Sequence, residues 1–265
     1  KIYDEFDCSN NPKLKSLKGI TQEGIKEVTA RHCDLTSLEG APQKIYGDFD
    51  CSFNPKLKSL SYCPQEGVVN LRCNNCGLLT LKGSPKKIKG NFYCNENSRL
   101  PSLKGMPQEG IKNINVNNND LTSLEGAPHK IGGDFKCTDN KNLTSLKGMP
   151  QEGLKGLDCS NCKLTSFDGI AKIINGNVYA FGNPIKSLKG VHRLIEKIFG
   201  AFSLPDTVES NILGVFRIQD LQEIDFCDET GQRDLEKQKI AEIINAYLPN
   251  PTPDKIIDCQ NELIE

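Results

Sequence analysis

The chain has 265 residues, 37% of them apolar and 25% charged, with 33 Lys and Arg against 34 Asp and Glu for a formal net charge of -1. That composition folds in water, exerts no overall pull toward nucleic acid or anionic membrane, and holds no run of ~18 apolar residues able to span a bilayer. The charge is uneven: residues 191–265 carry 7 Lys/Arg and 15 Asp/Glu, a net of -8, which leaves +7 on residues 1–190. The first residue is Lys1 rather than Met, so targeting is not legible there.

Residues 1–190 repeat. QEG recurs at Gln22, Gln65, Gln108 and Gln151, each 43 residues from the last, and LTSLEGAP starts at Leu35 and again at Leu121. Each 43-residue unit is double. The last apolar residue of each half falls at Leu17, Leu38, Leu60, Leu81, Leu103, Leu124, Leu146, Phe167 and Leu188, so nine repeats of 21 or 22 residues follow one another.

Within a repeat, alternation such as Phe92-Tyr93-Cys94 predicts a short strand with Phe92 and Cys94 inward and Tyr93 outward. The first inward position reads Phe6, Val28, Phe49, Leu71, Phe92, Ile114, Phe135, Leu157 and Val178, a large ring alternating with an aliphatic chain almost throughout. The second is small: Cys8, Ala30, Cys51, Cys73, Cys94, Val116, Cys137, Cys159 and Ala180. Large over small interdigitates, so parallel strands are expected to stack into one ladder. Gly two residues past the marker (as Gly40 and Gly83) and Pro four past it (as Pro42 and Pro85) turn the chain back, which predicts turns and extended segments rather than helices on the convex side.

The form L-x-L-x-x-(N/C)-x-L-x-x-L, as in Leu71, Cys73, Cys76, Leu78 and Leu81, resembles the leucine-rich repeat. The likeness covers about 190 residues. It implies a solenoid with a parallel β-sheet on its concave face, and it implies that Asn11, Cys33, Asn54, Cys76, Asn97, Asn119, Asn140, Cys162 and Asn183 point inward and satisfy backbone groups where the chain leaves the strand. From Val191 the pattern changes. Val191, Leu194, Ile195, Ile198, Phe199 and Phe202 form a helical stripe expected to cap the open end. Further helices are expected near Val208–Phe216 and Gln232–Leu248, with a last one from Pro253, N-capped by Thr252. Residues 191–265 are thus read as an acidic helical cap. The phrasing IINAYLPN and IIDCQNELIE (243–250 and 256–265), with the LEGAP/GDF style of the repeats, is similar to leucine-rich-repeat proteins of tailed bacteriophages.

Twelve Cys suggest zinc or disulfides. Cys73-x-x-Cys76 and Cys159-x-x-Cys162 resemble zinc knuckles, but they fall on template positions four strands apart, roughly 19 Å, too far for one tetrahedral site. Disulfides between stacked Cys51, Cys73 and Cys94 are disfavoured because their side chains project in parallel. Ten Cys, Cys63 among them, are accounted for by packing, with Cys227 and Cys259 outside the repeats. Such thiol abundance points to a reducing compartment, which with the phage likeness means bacterial cytoplasm or a virion.

No catalytic constellation emerges. His32, His129 and His192 are scattered, no phosphate loop or H-E-x-x-H motif appears, Asp48 and Asp50 read as solvated strand residues, and Cys227 is a remote nucleophile at most. No cofactor, metal or small-molecule substrate is called for. The middle outward position reads Asp7, Thr29, Asp50, Arg72, Tyr93, Asn115, Lys136, Asp158 and Tyr179. The leading expectation is therefore a non-enzymatic protein-binding module whose concave face uses Arg72, Tyr93, Lys136, Tyr179 and Phe181, since Arg and Tyr are enriched in binding hot spots. The alternative is a virion or assembly component docking through the acidic cap. Nucleic-acid binding by the +7 solenoid is disfavoured, because its lysines lack an aromatic stacking platform.

Overall fold

A computed structural model describes residues 3–20, 24–186, 197–198, 202–203 and 224–225. In chain order the strands are β1 (Tyr3–Asp7), β2 (Ile25–Thr29), β3 (Phe49–Asp50), β4 (Leu71–Arg72), β5 (Phe92–Tyr93), β6 (Ile114–Asn115), β7 (Asp134–Lys136), β8 (Gly156–Asp158), β9 (Ile173–Ile174), β10 (Val178–Tyr179), β11 (Lys197–Ile198), β12 (Phe202–Ser203) and β13 (Ile224–Asp225). Ten of them form one parallel sheet in the order β1-β2-β3-β4-β5-β6-β7-β8-β10-β12. The chain is a solenoid of stacked coils, and no helix occurs among the described residues.

The register follows the repeat. Phe6 pairs with Val28, Val28 with Phe49, Phe49 with Leu71, and so on through Leu157 with Val178. Phe49, Phe92 and Phe135 are fully buried, as are Cys51, Cys73, Cys94, Cys137 and Cys159 at the small inward position. Each of these three rings therefore lies between two aliphatic neighbours, and burying one such side chain is worth roughly 1.5–3 kcal/mol.

The chain leaves each of β1 to β8 through a left-handed residue: Asn10, His32, Phe53, Asn75, Glu96, Asn118, Asp139 and Asn161 all have φ between 50° and 60°. Asn and Asp tolerate this region, which explains most of the set. The next residue carries the polar ladder. Asn54 Nδ2 donates to the carbonyls of Ala30 (2.8 Å) and Cys51 (2.9 Å), and its Oδ1 accepts the Leu35 N–H at 3.1 Å. Asn140 and Asn183 repeat the pattern. Where Cys takes the position its thiol donates instead: Cys33 to the Cys8 carbonyl and Cys76 to the Cys51 carbonyl, each at 3.2 Å, and Cys162 to the Cys137 carbonyl at 3.3 Å. Carbonyls that burial would orphan are thereby satisfied.

The convex side consists of turns and extended segments tied by isolated parallel bridges, Lys44 to Glu66, Lys87 to Glu109 and Lys130 to Glu152. The turn after each marker is tight. Gly40 has φ +94°, and a Cβ there would collide with the Leu17 carbonyl of the preceding coil. In the third coil this Gly position holds Tyr62, at φ +69° and 57% exposed.

The expected helical cap is described only in part, so it is neither shown nor overturned, and two readings change at the described residues. The stripe from Val191 to Phe202 is described only at Lys197, Ile198 and Phe202, and these are strand residues. Ile198 pairs with Ile174 and Phe202 with Val178, and the Phe202 ring packs edge-on against Phe167 at 5.1 Å. The two partners on the previous coil are themselves four residues apart, as are Ile88 and Phe92, so the i, i+4 spacing that suggests a helix is the coil's own spacing. The sheet thus continues past residue 190. The other expected helices and the phage-like phrasing lie outside the described residues, as do Cys227 and Cys259. The second correction concerns the acidic strand residues. Asp50 is buried, accepting the Ser52 N–H at 2.9 Å, and Asp48 accepts from Asn70 and Arg72, so both are structural acceptors rather than solvated carboxylates.

Candidate interaction face

Pairing sets the outward residues in a line across the concave sheet. Asp7 faces Thr29, then come Asp50, Arg72, Tyr93, Asn115, Lys136, Asp158 and Tyr179, and Ser203 of β12 extends the row.

The expected binding residues fall into two groups along it. In the first, the Arg72 guanidinium lies 5.3 Å from the centre of the Tyr93 ring while its Nη1 hydrogen-bonds Asp48. Hydrogen bonding to Asp48 and the nearby carboxylate charges raise the Arg72 pKa against the opposing effect of desolvation. Arg72 is therefore a fixed cation and covers part of Tyr93, which is half-buried. In the second group, Lys136 is exposed, Tyr179 is 37% exposed and Phe181 46% exposed. Asn177 Nδ2 holds the Tyr179 hydroxyl at 2.8 Å, which fixes the ring's direction. Asn115 separates the groups, so the five residues share a face without forming one cluster.

A second row, two residues before the first, went unrecognised in the sequence: Glu5, Glu27, Asp48, Asn70, Asn91, Asn113, Asp134, Gly156 and Asn177. From Asp48 to Asn113 each side-chain oxygen accepts the backbone N–H of the next member, ending at the Asp134 N–H. The available signal was the recurrence of Asp or Asn at one register position. At its start the row is acidic: Glu5 pairs with Glu27, and the Glu27 carboxyl is pushed up, first by desolvation and then by the charges of Asp48 and Glu5.

Compared with known proteins, the chain matches no family model and no curated sequence.

Most of the thiols that shift are raised by their surroundings, whereas hydrogen bonding with Cys137 lowers that of Cys162. The ten described cysteines are free and all but Cys8 are buried. Burial pushes the Cys63 and Cys159 thiols well up and Cys8 to about 11, while Cys51 and Cys73 are raised first by hydrogen bonding with Cys76 and Cys94 respectively and then by desolvation. A thiol held protonated in an apolar interior is neither nucleophile nor metal ligand. Among the described residues no three His, Cys, Asp or Glu side chains are arranged to hold a metal ion, and no helix is long and apolar enough to cross a membrane. His129 lies 3.4 Å from Glu152 on the convex turns, and the His32 ring stacks on Phe53 at 4.3 Å.

One concave pocket, of about 320 Å³, lies in the second group, lined by Asp134, Lys136, Lys155, Gly156, Asp158 and Tyr179 among others.

Proposed function

We propose that the chain is a non-catalytic protein-binding module of the leucine-rich-repeat type, which holds an extended partner on its concave sheet. The supporting observation is the in-register outward row, which brings Arg72, Tyr93, Lys136 and Tyr179 onto one face with Phe181 beside them. Such a surface offers aromatic area, fixed charge and many amide groups over eight or more coils, which suits recognition spread along a strand rather than a reaction at a point. The Asn/Cys ladder supports the leucine-rich-repeat assignment, since it does the backbone-satisfying work that the resemblance implies. Free, buried thiols suit a reducing compartment. The phage-type phrasing of the last 23 residues supports an origin, not an activity.

Site-specific photocrosslinking tests the reading. A crosslinker at Asn115 on the concave row should capture one partner at fixed stoichiometry in the native source. The same group at Lys87 on the convex side should not, and Tyr93→Ala with Tyr179→Ala should abolish capture. Equal capture from both sides would contradict it.

A further inference from the structure

The second concave row is a ladder of acceptors with one rung missing. Asp48, Asn70, Asn91 and Asn113 each send a side-chain oxygen to the next coil, at 3.1, 2.7, 3.3 and 2.8 Å from the N–H of Asn70, Asn91, Asn113 and Asp134. The following position is Gly156, which has no side chain to offer. There the surface opens into the pocket of about 320 Å³.

We propose, on the basis of the concave-face reading above, that this gap receives the carboxylate of an Asp or Glu side chain on the extended partner segment. The hydrogen-bond inventory argues for it. Lys136 and Lys155 both line the gap, and neither has an ion-pair partner among the described residues. The Tyr179 oxygen already accepts from Asn177, so the hydroxyl proton is available to a ligand. Two lysines and one tyrosine able to donate thus line a space where the neighbouring coils place an acceptor oxygen.

The two acids at the rim set the charge of the ligand. One oxygen of Asp158 accepts the Ser160 N–H at 3.2 Å, and one oxygen of Asp134 lies 3.1 Å from where a Cβ on Gly156 would stand. Together they balance Lys136 and Lys155 while the gap is empty. Both acids oppose added negative charge, and they oppose a dianion such as phosphate more than a single carboxylate.

The test is an NMR titration of the full chain with four probes: N-acetyl-Gly-Glu-Gly-amide, its Gln and Lys counterparts, and inorganic phosphate. The Glu peptide should shift the side-chain signals of Lys136, Lys155 and Tyr179, with the Gln peptide at least several-fold weaker and the Lys peptide silent. The response should vanish in Lys136→Ala/Lys155→Ala, and also in Gly156→Asp, which supplies the missing carboxylate within the chain. Should Gly156→Asp fail to fold, the double Lys variant carries the comparison. Tighter binding of phosphate, an equal response to the Lys peptide, or no response to the Glu peptide would overturn the inference. The concave-face reading is judged separately by the Tyr93/Tyr179 crosslinking, so either can fail without the other.

Discussion

The Cys76 thiol donates to the Cys51 carbonyl at 3.2 Å, and one coil on the Asn97 amide donates to the Cys73 carbonyl at 3.1 Å. Two chemically different side chains thus do one job at successive turns of the solenoid. The Asn does more of it, because its oxygen also accepts the Leu78 N–H at 3.3 Å. Asn97→Ala should therefore cost about 2–4 kcal/mol, two or more buried backbone groups losing their partners. Cys76→Ala should cost about 1–2 kcal/mol, and Cys76→Asn should lie near neutral because Asn119 fills the same position. Denaturant melts of the three variants check the order.

Phe92→Ala removes a fully buried ring from the alternating stack and should cost about 3–5 kcal/mol. A negligible shift of the unfolding midpoint would mean that the ring does not sit between Leu71 and Ile114.

Tyr62 is expected to be a destabilising residue. It occupies a left-handed turn at which the coils before and after have Gly40 and Gly83, and its ring is mostly exposed, so little packing offsets the backbone cost. Tyr62→Gly should raise stability by about 0.5–1 kcal/mol, the strain relieved being partly cancelled by added chain entropy. Thermal melts read the sign directly.

The buried thiols give a pH signature. The folded pKa values of Cys51, Cys73, Cys137 and Cys159 are raised, so below the ordinary thiol value of about 8.5 both states of these groups are protonated and their full contribution to stability is present. As pH rises past that value the unfolded chain loses protons that the folded chain keeps, and stability falls toward the folded pKa. Melting temperature should drop through the alkaline range, and Cys73→Ala with Cys159→Ala should flatten the drop, since Ala30 and Ala180 occupy the same inward position in other coils. Glu27 works in the same direction at lower pH. Its raised carboxyl pKa makes the fold lose stability as pH climbs past the normal Glu value, so Glu27→Gln should stabilise at pH 7 and make no difference once both carboxyl states are protonated.

The repeat made the strand register, the buried rings and thiols, and the helix-free convex side legible in the sequence, because a 21/22-residue period leaves each position only one environment; the inward Asn and Cys came from the leucine-rich-repeat resemblance. Three features were not legible. Ile198 and Phe202 read as a helix because apolar residues three or four apart occur equally on a helix face and across a coil's corner. Asp48 and Asp50 read as solvated because period-2 alternation tells only which side a residue faces, and an outward side chain can still be tied to backbone N–H groups of its own or the next coil. The gap at Gly156 is visible only once that ladder is known.

The stacking of repeats into one parallel coil is the claim on which the rest depends. It is tested most directly by pulsed electron-spin distance measurements between spin labels attached through an unnatural ketone amino acid, with Thr29 as the common site and Asn115 or Tyr179 as the second. Four and seven strand steps of ~4.8 Å give backbone separations of roughly 19 and 34 Å. Narrow distributions increasing in that proportion are expected, and equal separations for the two pairs, or broad overlapping ones, would contradict the stacked coil.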